Sequence, residues 1–530
     1  MSRLAVKRAL VSVFDKRDLV DFARGLADLG VDLLSTGGSA KALRENGIAV
    51  EEISDYTGFP ELLDGRVKSI HPKVYAGVLF RRGEPDDEES IRVHGILPID
   101  LVAVNLYPFE RAAKETPENL SAVMENIDIG GPALIRAAAK NYMSVAVIVD
   151  TDDYGPILEE LRAQKGMISS ETRLRLAEKA FRRTAEYDAT IHRYFENISR
   201  KGTVSQIFPN RVLLEFEKIR DLRYGENPHQ KAAVYKDVGA RFCIADAKIL
   251  SGKKELSYTN ILDTDFAFSL VTEFDDQTAT VIVKHANPCG GAIGETLVES
   301  YKKALQTDPI SAFGGIYAFS KKVDLDTAEL LTDQFVEVVV APGYTKEALE
   351  TLSKKENRRI LDSSELVQAT QSGKLYEKSF RSILGGMLYQ ENDSVLLDEK
   401  RMSIPTLRKP SEREMKALLF GWKFVKHVRS NAIVLTSPTQ LIGVGTGQMS
   451  RVDSCRLAVM KAQNAGLETS GTALASDAFI PFRDTVDHVA KVGVTAIIEP
   501  GGSLRDREVI DAANEHDITM VFTGIRHFRH

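Results

Sequence analysis

The sequence predicts an α/β protein of two domains, a parallel-sheet domain over residues 1–199 and a larger domain of two α/β lobes over residues 200–530. Three observations carry this. With 530 residues, the chain is far longer than the roughly 250–300 residues at which a single hydrophobic core stops growing. In the first third, short apolar runs alternate with amphipathic segments, the pattern of βα units around a parallel sheet. Near residue 200 a long charged helical segment gives way to the polar, glycine-containing Ser199-Arg-Lys-Gly-Thr-Val, which reads as a linker.

The elements follow in order. Residues 9–14 read as a strand. Over residues 16–29, Leu19, Phe22, Ala23, Leu26 and Leu29 recur at helical spacing, and Gly30 offers a left-handed C-cap. A strand at 31–34, a helix at 39–46 ended by Gly47, an extended run at 48–53 and strands at 101–106 and 144–149 come next. Residues 151–197 read as wholly helical. Beyond the linker, strand-like runs stand at 280–284, 315–319, 336–340, 383–388, 432–435, 441–444, 473–476, 494–498 and 518–522. They are too many for one small domain. Two lobes dividing near 360–375 accommodate them, with no fixed repeat period. The charged stretch 354–359 reads as a solvated helix face or loop.

Composition excludes several function classes. A formal net charge of −6 supplies no global field for polyanions, so nucleic acid is not expected as a partner. Phosphate affinity must come from local clusters such as Arg66, Lys68 and Lys73. No stretch approaches the roughly 20 apolar residues that cross a bilayer, and residues 1–8 are basic but lead into a strand without a long apolar segment. The expected location is the cytoplasm, with no membrane partner. Cys243, Cys289 and Cys455 are isolated, with no CxxC pair, which argues against a disulfide framework and a structural zinc and for reduced, buried thiols.

In a doubly wound sheet, ligands bind at the carboxyl ends of the strands. There Ser35-Thr-Gly-Gly-Ser closes a strand and opens a helix, so its N–H groups and hydroxyls can face an anion. An ordinary glycine turn capped by Ser39 is the alternative. Leu63-Asp-Gly-Arg-Val-Lys-Ser-Ile-His-Pro sets Arg66, Lys68 and His71 on a loop with Ser69, which suits a phosphorylated heterocycle better than a solubilising face. Asn105-Leu-Tyr-Pro-Phe presents Tyr107 at the same sheet edge. Ile127-Asp-Ile-Gly-Gly-Pro-Ala-Leu-Ile-Arg-Ala-Ala-Ala-Lys-Asn places Asp128 before a glycine pair and a helix that carries Lys140. Taken singly, Asp128 reads as a helix cap and Lys140 as a surface lysine.

Together these four segments resemble the cyclohydrolase domain of the bifunctional purine-biosynthesis family that joins aminoimidazole carboxamide ribonucleotide (AICAR) formyltransferase to inosine monophosphate (IMP) cyclohydrolase. The sheet domain of that family is similar to methylglyoxal synthase. The resemblance implies that Lys68, Tyr107, Asp128 and Lys140 surround the reacting centre, with Ser12, Lys16, Ser35, Gly37, Arg66 and Ser69 fixing the phosphoribosyl group. In the ring closure a carboxamide nitrogen attacks a formyl carbon, an oxyanion develops on the formyl oxygen, and water leaves. An amide nitrogen is a poor nucleophile, so preorganised donors at that oxygen matter most, typically ~3 kcal/mol each. Lys68 and Tyr107 suit oxyanion or proton-transfer roles, and Asp128 suits orienting the carboxamide N–H.

In the second domain, Val281-Ile-Val-Lys-His-Ala-Asn-Pro-Cys-Gly-Gly-Ala is an apolar strand that stops at Lys284-His285, and its glycine-rich exit permits close approach of a ligand. A satisfied core histidine is the alternative. His285 is the favoured general base, because the 5-amino group of the imidazole substrate must lose a proton as it attacks a formyl donor. A histidine supplies roughly 100-fold to 10,000-fold in such a step. Lys284 suits the tetrahedral oxyanion. The pair, with Leu222-Arg-Tyr-Gly-Glu-Asn-Pro-His-Gln, resembles the formyltransferase domain of the same family. The likeness continues through Ser311-Ala-Phe-Gly-Gly, Ala341-Pro-Gly-Tyr, Ser430-Asn-Ala-Ile, Gly445-Thr-Gly-Gln-Met-Ser-Arg, Ser476-Asp-Ala-Phe-Ile-Pro-Phe-Arg-Asp and Arg526-His-Phe-Arg-His. It implies that Arg223, Tyr224, Arg451 and Arg526 hold the substrate, that Asn431 lies near the formyl group, and that Phe479, Asp484 and Phe528 line the site. Arginine forks are the expected phosphate clamps, and a buried arginine paired with a carboxylate is the alternative for any one of them.

The formyltransferase domain of the family is similar to cytidine deaminases, one such fold per lobe, so a zinc deaminase is a rival. The sequence lacks HxE followed by PCxxC: Pro288-Cys289 runs into Gly290-Gly291, which leaves a metal without its ligands. The resemblance implies 10-formyltetrahydrofolate as cosubstrate, no tightly bound cofactor, AICAR and its formylated form (FAICAR) as substrates, and a homodimer whose formyltransferase site draws on two subunits. A monovalent cation is compatible with this but does not follow from the residues. Asp15-Lys-Arg-Asp stands where a dinucleotide-binding GxGxxG would open the first helix, the GxGxG at Gly443, Gly445 and Gly447 belongs to a formyltransferase-like motif, and no Walker A sequence occurs. A nucleotide sensor without chemistry is the rival from another class, and the paired Lys68 and Tyr107 speak against it.

Overall fold

Small and branched apolar residues fill Arg8–Val13, Asp32–Ser35, Leu101–Asn105 and Ala146–Ile148 almost without interruption, so these strands are covered on both faces and pair in parallel. In the computed structural model they form, with Glu51–Glu52, a five-stranded sheet. Its order is Glu51–Glu52, Asp32–Ser35, Arg8–Val13, Leu101–Asn105, Ala146–Ile148. The structure describes residues 3–63, 67–107, 109–115, 118–200, 208–240, 242–371 and 378–530. The chain divides into two compact units, Met1–Leu213 and Leu214–His530. In the first, the chain leaves the central strand Arg8–Val13 towards one edge and returns to pair Leu101–Asn105 on its other side. The loops after these strands gather at that reversal, where open α/β sheets bind ligands.

Four local expectations need correction, three of them in the bounds of elements. The first helix is Leu19–Asp28 rather than a run from residue 16, because Asp15 accepts the Arg17 N–H at 3.0 Å and Asp18 is left-handed at φ 55°. Residues 151–197 are not one helical stretch. The helix Tyr154–Ala163 stops at Lys165 and Gly166, both left-handed, and the strand Met167–Ser169 pairs with Arg3–Ala5 before the long helix Ser170–Arg200 begins. Residues 383–388 are not one strand but the turn of a hairpin, Lys378–Ile383 with Gly386–Glu391, since Gly385 at φ 73° reverses the chain.

The second unit holds two sheets of one design. The first runs Lys248–Ser251, Arg359–Asp362, Val338–Ala341, Ile316–Phe319, Ala279–Lys284, Asn287–Ile293, and the second Leu441–Gly445, Ile433–Thr436, Ala473–Ser476, Ala496–Glu499, Thr519–Phe522. In each, an antiparallel hairpin stands at one edge and two parallel pairings follow. Matching strands start at Ala279 and Ile433 but end the series at Arg359 and Thr519. The spacing therefore lengthens along the chain, and no fixed period exists to be read. The helices Tyr258–Val271 and Glu412–Val425 contribute Phe266, Phe268, Trp422 and Phe424 to a single core with both sheets. Gly291 must be glycine, because a Cβ there would run into the Phe424 ring. The stretch 354–359 is not wholly a solvated face. Arg358 and Arg359 are buried, Arg358 donating to the Leu331 and Gln334 carbonyls at 2.7 and 3.0 Å and Arg359 pairing with Glu337 at 2.8 Å.

Candidate functional site

In the first unit, the helix Gly37–Glu45 begins without a side-chain cap. Its N-cap residue, Thr36, instead shares a 2.6 Å hydrogen bond with the Ser12 hydroxyl. A Cβ on Gly37 would stand 3.0 Å from Lys68 Nζ, and one on Gly38 would stand 3.8 Å from Lys16 Nζ. Two ammonium groups thus converge on the positive end of a helix, a ready anion cradle. Gly37, at φ 36°, keeps that approach open. Ser12, Lys16, Gly37 and Lys68 are brought together. Ser35 is placed differently: it is fully buried and donates to the Val11 carbonyl at 2.6 Å, so its hydroxyl ties two strands rather than facing a ligand. Arg66 lies outside the described residues.

Beside the cradle, Asp128 accepts the Gly131 N–H at 2.8 Å while the Tyr187 hydroxyl accepts its own N–H at 2.8 Å. Burial pushes the Asp128 carboxyl above the usual range, opposed by the N–H groups of Gly131, Tyr107 and Gly130. Tyr107 is therefore at hand, half exposed, with its ring 5.1 Å from Phe14. Ser69 joins them, its Oγ 3.1 Å from where a Cβ on Gly130 would stand. Lys140 does not join. It ends the helix Gly130–Lys140, and at about 1.5 Å per residue it stands roughly 15 Å from the end that carries Asp128.

In the second unit, Arg223, Tyr224, Lys284 and His285 line a cavity of about 940 Å³. Lys284 ends the strand Ala279–Lys284 and donates to the Phe313 and Gly314 carbonyls at 2.9 and 3.1 Å. His285 and Ala286 are both left-handed, at φ 53° and 51°, a conformation costing roughly 1–2 kcal/mol for each non-glycine residue. Asp263 holds them there, accepting the Ala286 N–H at 2.7 Å and the His285 N–H at 3.3 Å. Asn287 donates to the His285 carbonyl at 3.1 Å and accepts from the Thr446 hydroxyl at 2.8 Å. The strained exit turns the His285 side chain outwards, so it is exposed rather than a core histidine. Arg223 lies on the Tyr224 ring, 4.8 Å from its centroid.

Asn431, Arg451, Phe479, Asp484, Arg526 and Phe528 sit in the other lobe, and none of them lines that cavity. Arg451 is not an open phosphate clamp. It is buried against Asp477 and bonds Ser476 Oγ at 2.8 Å and Asn431 Oδ1 at 3.0 Å, as the first residue of the helix Arg451–Asn464. The Asn431 amide also donates to the Gln448 and Met449 carbonyls. Phe479, Asp484, Arg526 and Phe528 are exposed, with the Arg526 guanidinium 4.4 Å from the Phe528 ring centroid.

Two comparisons bear on identity. The family model described as AICARFT/IMPCHase bienzyme matches residues 138–461, and an MGS-like domain model matches residues 18–133. The bifunctional purine biosynthesis protein PurH of Persephonella marina (strain DSM 14350 / EX-H1) is 49% identical over 527 residues, 99% of this chain and 100% of its own. The chain belongs to the AICARFT/IMPCHase bienzyme family. It is accordingly a bifunctional enzyme of purine biosynthesis, with formyltransferase and cyclohydrolase activities, and its formyltransferase activity implies 10-formyltetrahydrofolate as cosubstrate. Its first unit is MGS-like. A solved structure of ForH, 38% identical, covers 36% of the bienzyme chain and all of its own length, with a TM-score of 0.33. Among the described residues, no helix is long and apolar enough to cross a membrane, and no group of three or more metal-ligating side chains gathers. Cys289 and Cys455 are buried, which pushes both thiols up to about 12.

Sequence reasoning missed four residues that hold the candidate sites in shape. Asp263 lies mid-helix with nothing to mark it. Glu61 pairs with Lys68 at 2.7 Å from a loop of no periodicity. Thr36 and Asn105 were within quoted motifs, and their position at strand ends was the available signal. Asn105 accepts the Phe14 and Asp15 N–H groups at 2.6 and 3.0 Å, which fixes the loop carrying Lys16.

Proposed function

We propose that the second unit transfers the formyl group of 10-formyltetrahydrofolate to the 5-amino group of AICAR, and that the first unit closes the resulting FAICAR to IMP with loss of water. His285 takes the amine proton as nitrogen attacks the formyl carbon, and Lys284 faces the oxyanion of the tetrahedral intermediate. What supports this reading is one observation above the others: a Lys-His pair at a strand end, turned outwards by two left-handed residues, on the wall of a 940 Å³ cavity that also carries Arg223.

In the first unit the substrate phosphate rests on the N-terminus of Gly37–Glu45 between Lys16 and Lys68, with Ser12 and Ser69 nearby. Lys68 exchanges the Glu61 carboxylate for the substrate's charge, Tyr107 donates to the formyl oxygen, and Asp128 orients the carboxamide. A carboxyl raised by burial gives and takes a proton nearer neutrality, which suits Asp128 to that place. Asn431, Phe479, Asp484, Arg526 and Phe528 reach the formyl-transfer cavity in a homodimer, supplied by a second copy of the chain, while Arg451 holds Asn431 in place from its buried pair with Asp477. Each lobe of the second unit is cytidine-deaminase-like, the reaction runs in the cytoplasm on its cosubstrate without a tightly bound cofactor, and no residue role requires a monovalent cation.

The test is direct. Purified chain given AICAR and 10-formyltetrahydrofolate should release tetrahydrofolate and build the ultraviolet band of IMP. If FAICAR supplied in its place gives no IMP, the first unit is a nucleotide sensor and the cyclisation reading is wrong.

A further inference from the structure

The turn that carries His285 runs against the preference of its own geometry. Lys284 and Asn287 pair across the hairpin of Ala279–Lys284 with Asn287–Ile293, so His285 and Ala286 are its two-residue loop. Both have positive φ, the arrangement for which hairpins favour Asn-Gly, and Ala286 in the place of that glycine carries the steric cost of its Cβ. Such a loop persists only where its surroundings hold it. Asp263 grips its N–H groups from one side. The grip on its carbonyl side comes from the other lobe of the second unit.

That grip is the Asn287 amide. Its Nδ2 donates to the His285 carbonyl at 3.1 Å, and its Oδ1 accepts the Thr446 hydroxyl at 2.8 Å and the Arg429 N–H at 3.3 Å. A backbone N–H can only donate, so Arg429 fixes which end of the amide faces the second lobe. The Thr446 hydroxyl has one proton, and the Arg429 carbonyl, at 3.3 Å, is the more distant of its two acceptors. Gly447, left-handed at φ 67°, donates to that same carbonyl at 2.9 Å. It thereby locks the loop after the strand Leu441–Gly445 onto the loop after the helix Glu412–Val425, and Thr446 becomes a donor on a rigid mount. Lys284, His285, Asn287 and Thr446 also line a small cavity of about 200 Å³, which gives the turn room to shift once the clamp is released.

We propose that Thr446 is a positioning residue for formyl transfer: its hydroxyl orients the Asn287 amide, which holds the His285 carbonyl and with it the direction of the imidazole. This rests on the reading of His285 as the base. Without the hydroxyl, the amide keeps only the longer bond from Arg429, and the turn relaxes towards the small cavity. Arg223 and the rest of the larger cavity are untouched, so AICAR still binds and only the reacting step slows.

The experiment follows tetrahydrofolate release by the full chain in Thr446→Val, which has nearly the same shape without the hydroxyl, and in Thr446→Ser, which restores it. Thr446→Val should lower kcat about tenfold, with KM for AICAR within about twofold and a normal circular dichroism melt. Thr446→Ser should recover most of the loss. Placed in Asn287→Ala or in His285→Ala, Thr446→Val should cost nothing further, because residues that act through one another are not additive. A general loosening of the fold would instead slow every background alike. The proposal is overturned if Thr446→Val transfers formyl within about twofold of the unaltered rate, if Thr446→Ser is as slow as Thr446→Val, or if Thr446→Val costs a similar factor in either background. Should Asn287→Ala fail to fold, the His285→Ala background decides. Unaltered formyl transfer by His285→Ala sinks the base and this proposal with it, whereas a slow His285→Ala beside a fast Thr446→Val sinks this proposal alone.

Discussion

Replacing Asp263, which lines the same cavity as Lys284 and His285, by alanine should disable formyl transfer and leave cyclisation intact. The carboxylate accepts the buried Ala286 N–H at 2.7 Å and the part-buried His285 N–H at 3.3 Å. Its loss strands both donors, at about 1–3 kcal/mol each, and releases two left-handed residues, each strained by roughly 1–2 kcal/mol. The turn gains several kcal/mol by relaxing, and the relaxation moves His285. A displacement near 1 Å costs on the order of 100-fold in rate. Asp263→Ala should therefore lower kcat for formyl transfer about 100-fold with KM for AICAR nearly unchanged, while FAICAR cyclisation stays normal. Asp263→Asn keeps one acceptor and should fall between. Tetrahydrofolate release and IMP formation, followed separately with a circular dichroism melt, read out all three. An Asp263→Ala protein that melts normally and transfers formyl within threefold of the unaltered rate would refute the reasoning.

Two further outcomes follow from buried charge. Glu499 is fully buried and, among the described residues, only the Ile480 N–H donates to it, so burial pushes its carboxyl up to about 8 from an ordinary 4.5. Between those values the folded chain holds a proton that the unfolded chain releases, so stability falls with rising pH by about 1.4 kcal/mol per unit and levels off above 8. Glu499→Gln removes that slope: its margin over the unaltered protein in urea melts should widen from pH 5 to 8, and parallel curves would contradict the assignment. Arg451→Ala leaves Asp477 buried without its cation, a loss of about 3–5 kcal/mol. Lower melting stability is the expected result, and a raised KM for AICAR at unchanged stability would restore Arg451 as an open clamp.

The sheet domain was legible because its strands are buried on both faces and its helices carry apolar residues at regular spacing, as in Leu19, Phe22 and Leu26. The twin sheets were harder. Their matching strands drift apart along the chain, and Gly385 and Gly166 cut apparent single elements in two. At the sites, motif spacing found the residues that share a loop, such as Lys284 with His285. It did not separate Lys140 from Asp128, because neighbours on one helix can stand at its opposite ends. Nor did it find Asp263, which holds the N–H groups of residues 22 and 23 positions away, or Glu61, which pairs with Lys68 from a loop without periodicity. Ser35 and Arg451 stood in site-like motifs, yet burial commits both to protein partners.

The central claim is that two separate sites share one chain, and the pair Lys68→Ala and His285→Ala tests it most directly. Each variant is assayed for formyl transfer from 10-formyltetrahydrofolate and, independently, for closure of supplied FAICAR. Lys68→Ala should cut closure by about 100-fold or more with formyl transfer intact, and His285→Ala should do the reverse. If either folded variant loses both steps together, the separation of the two sites is wrong.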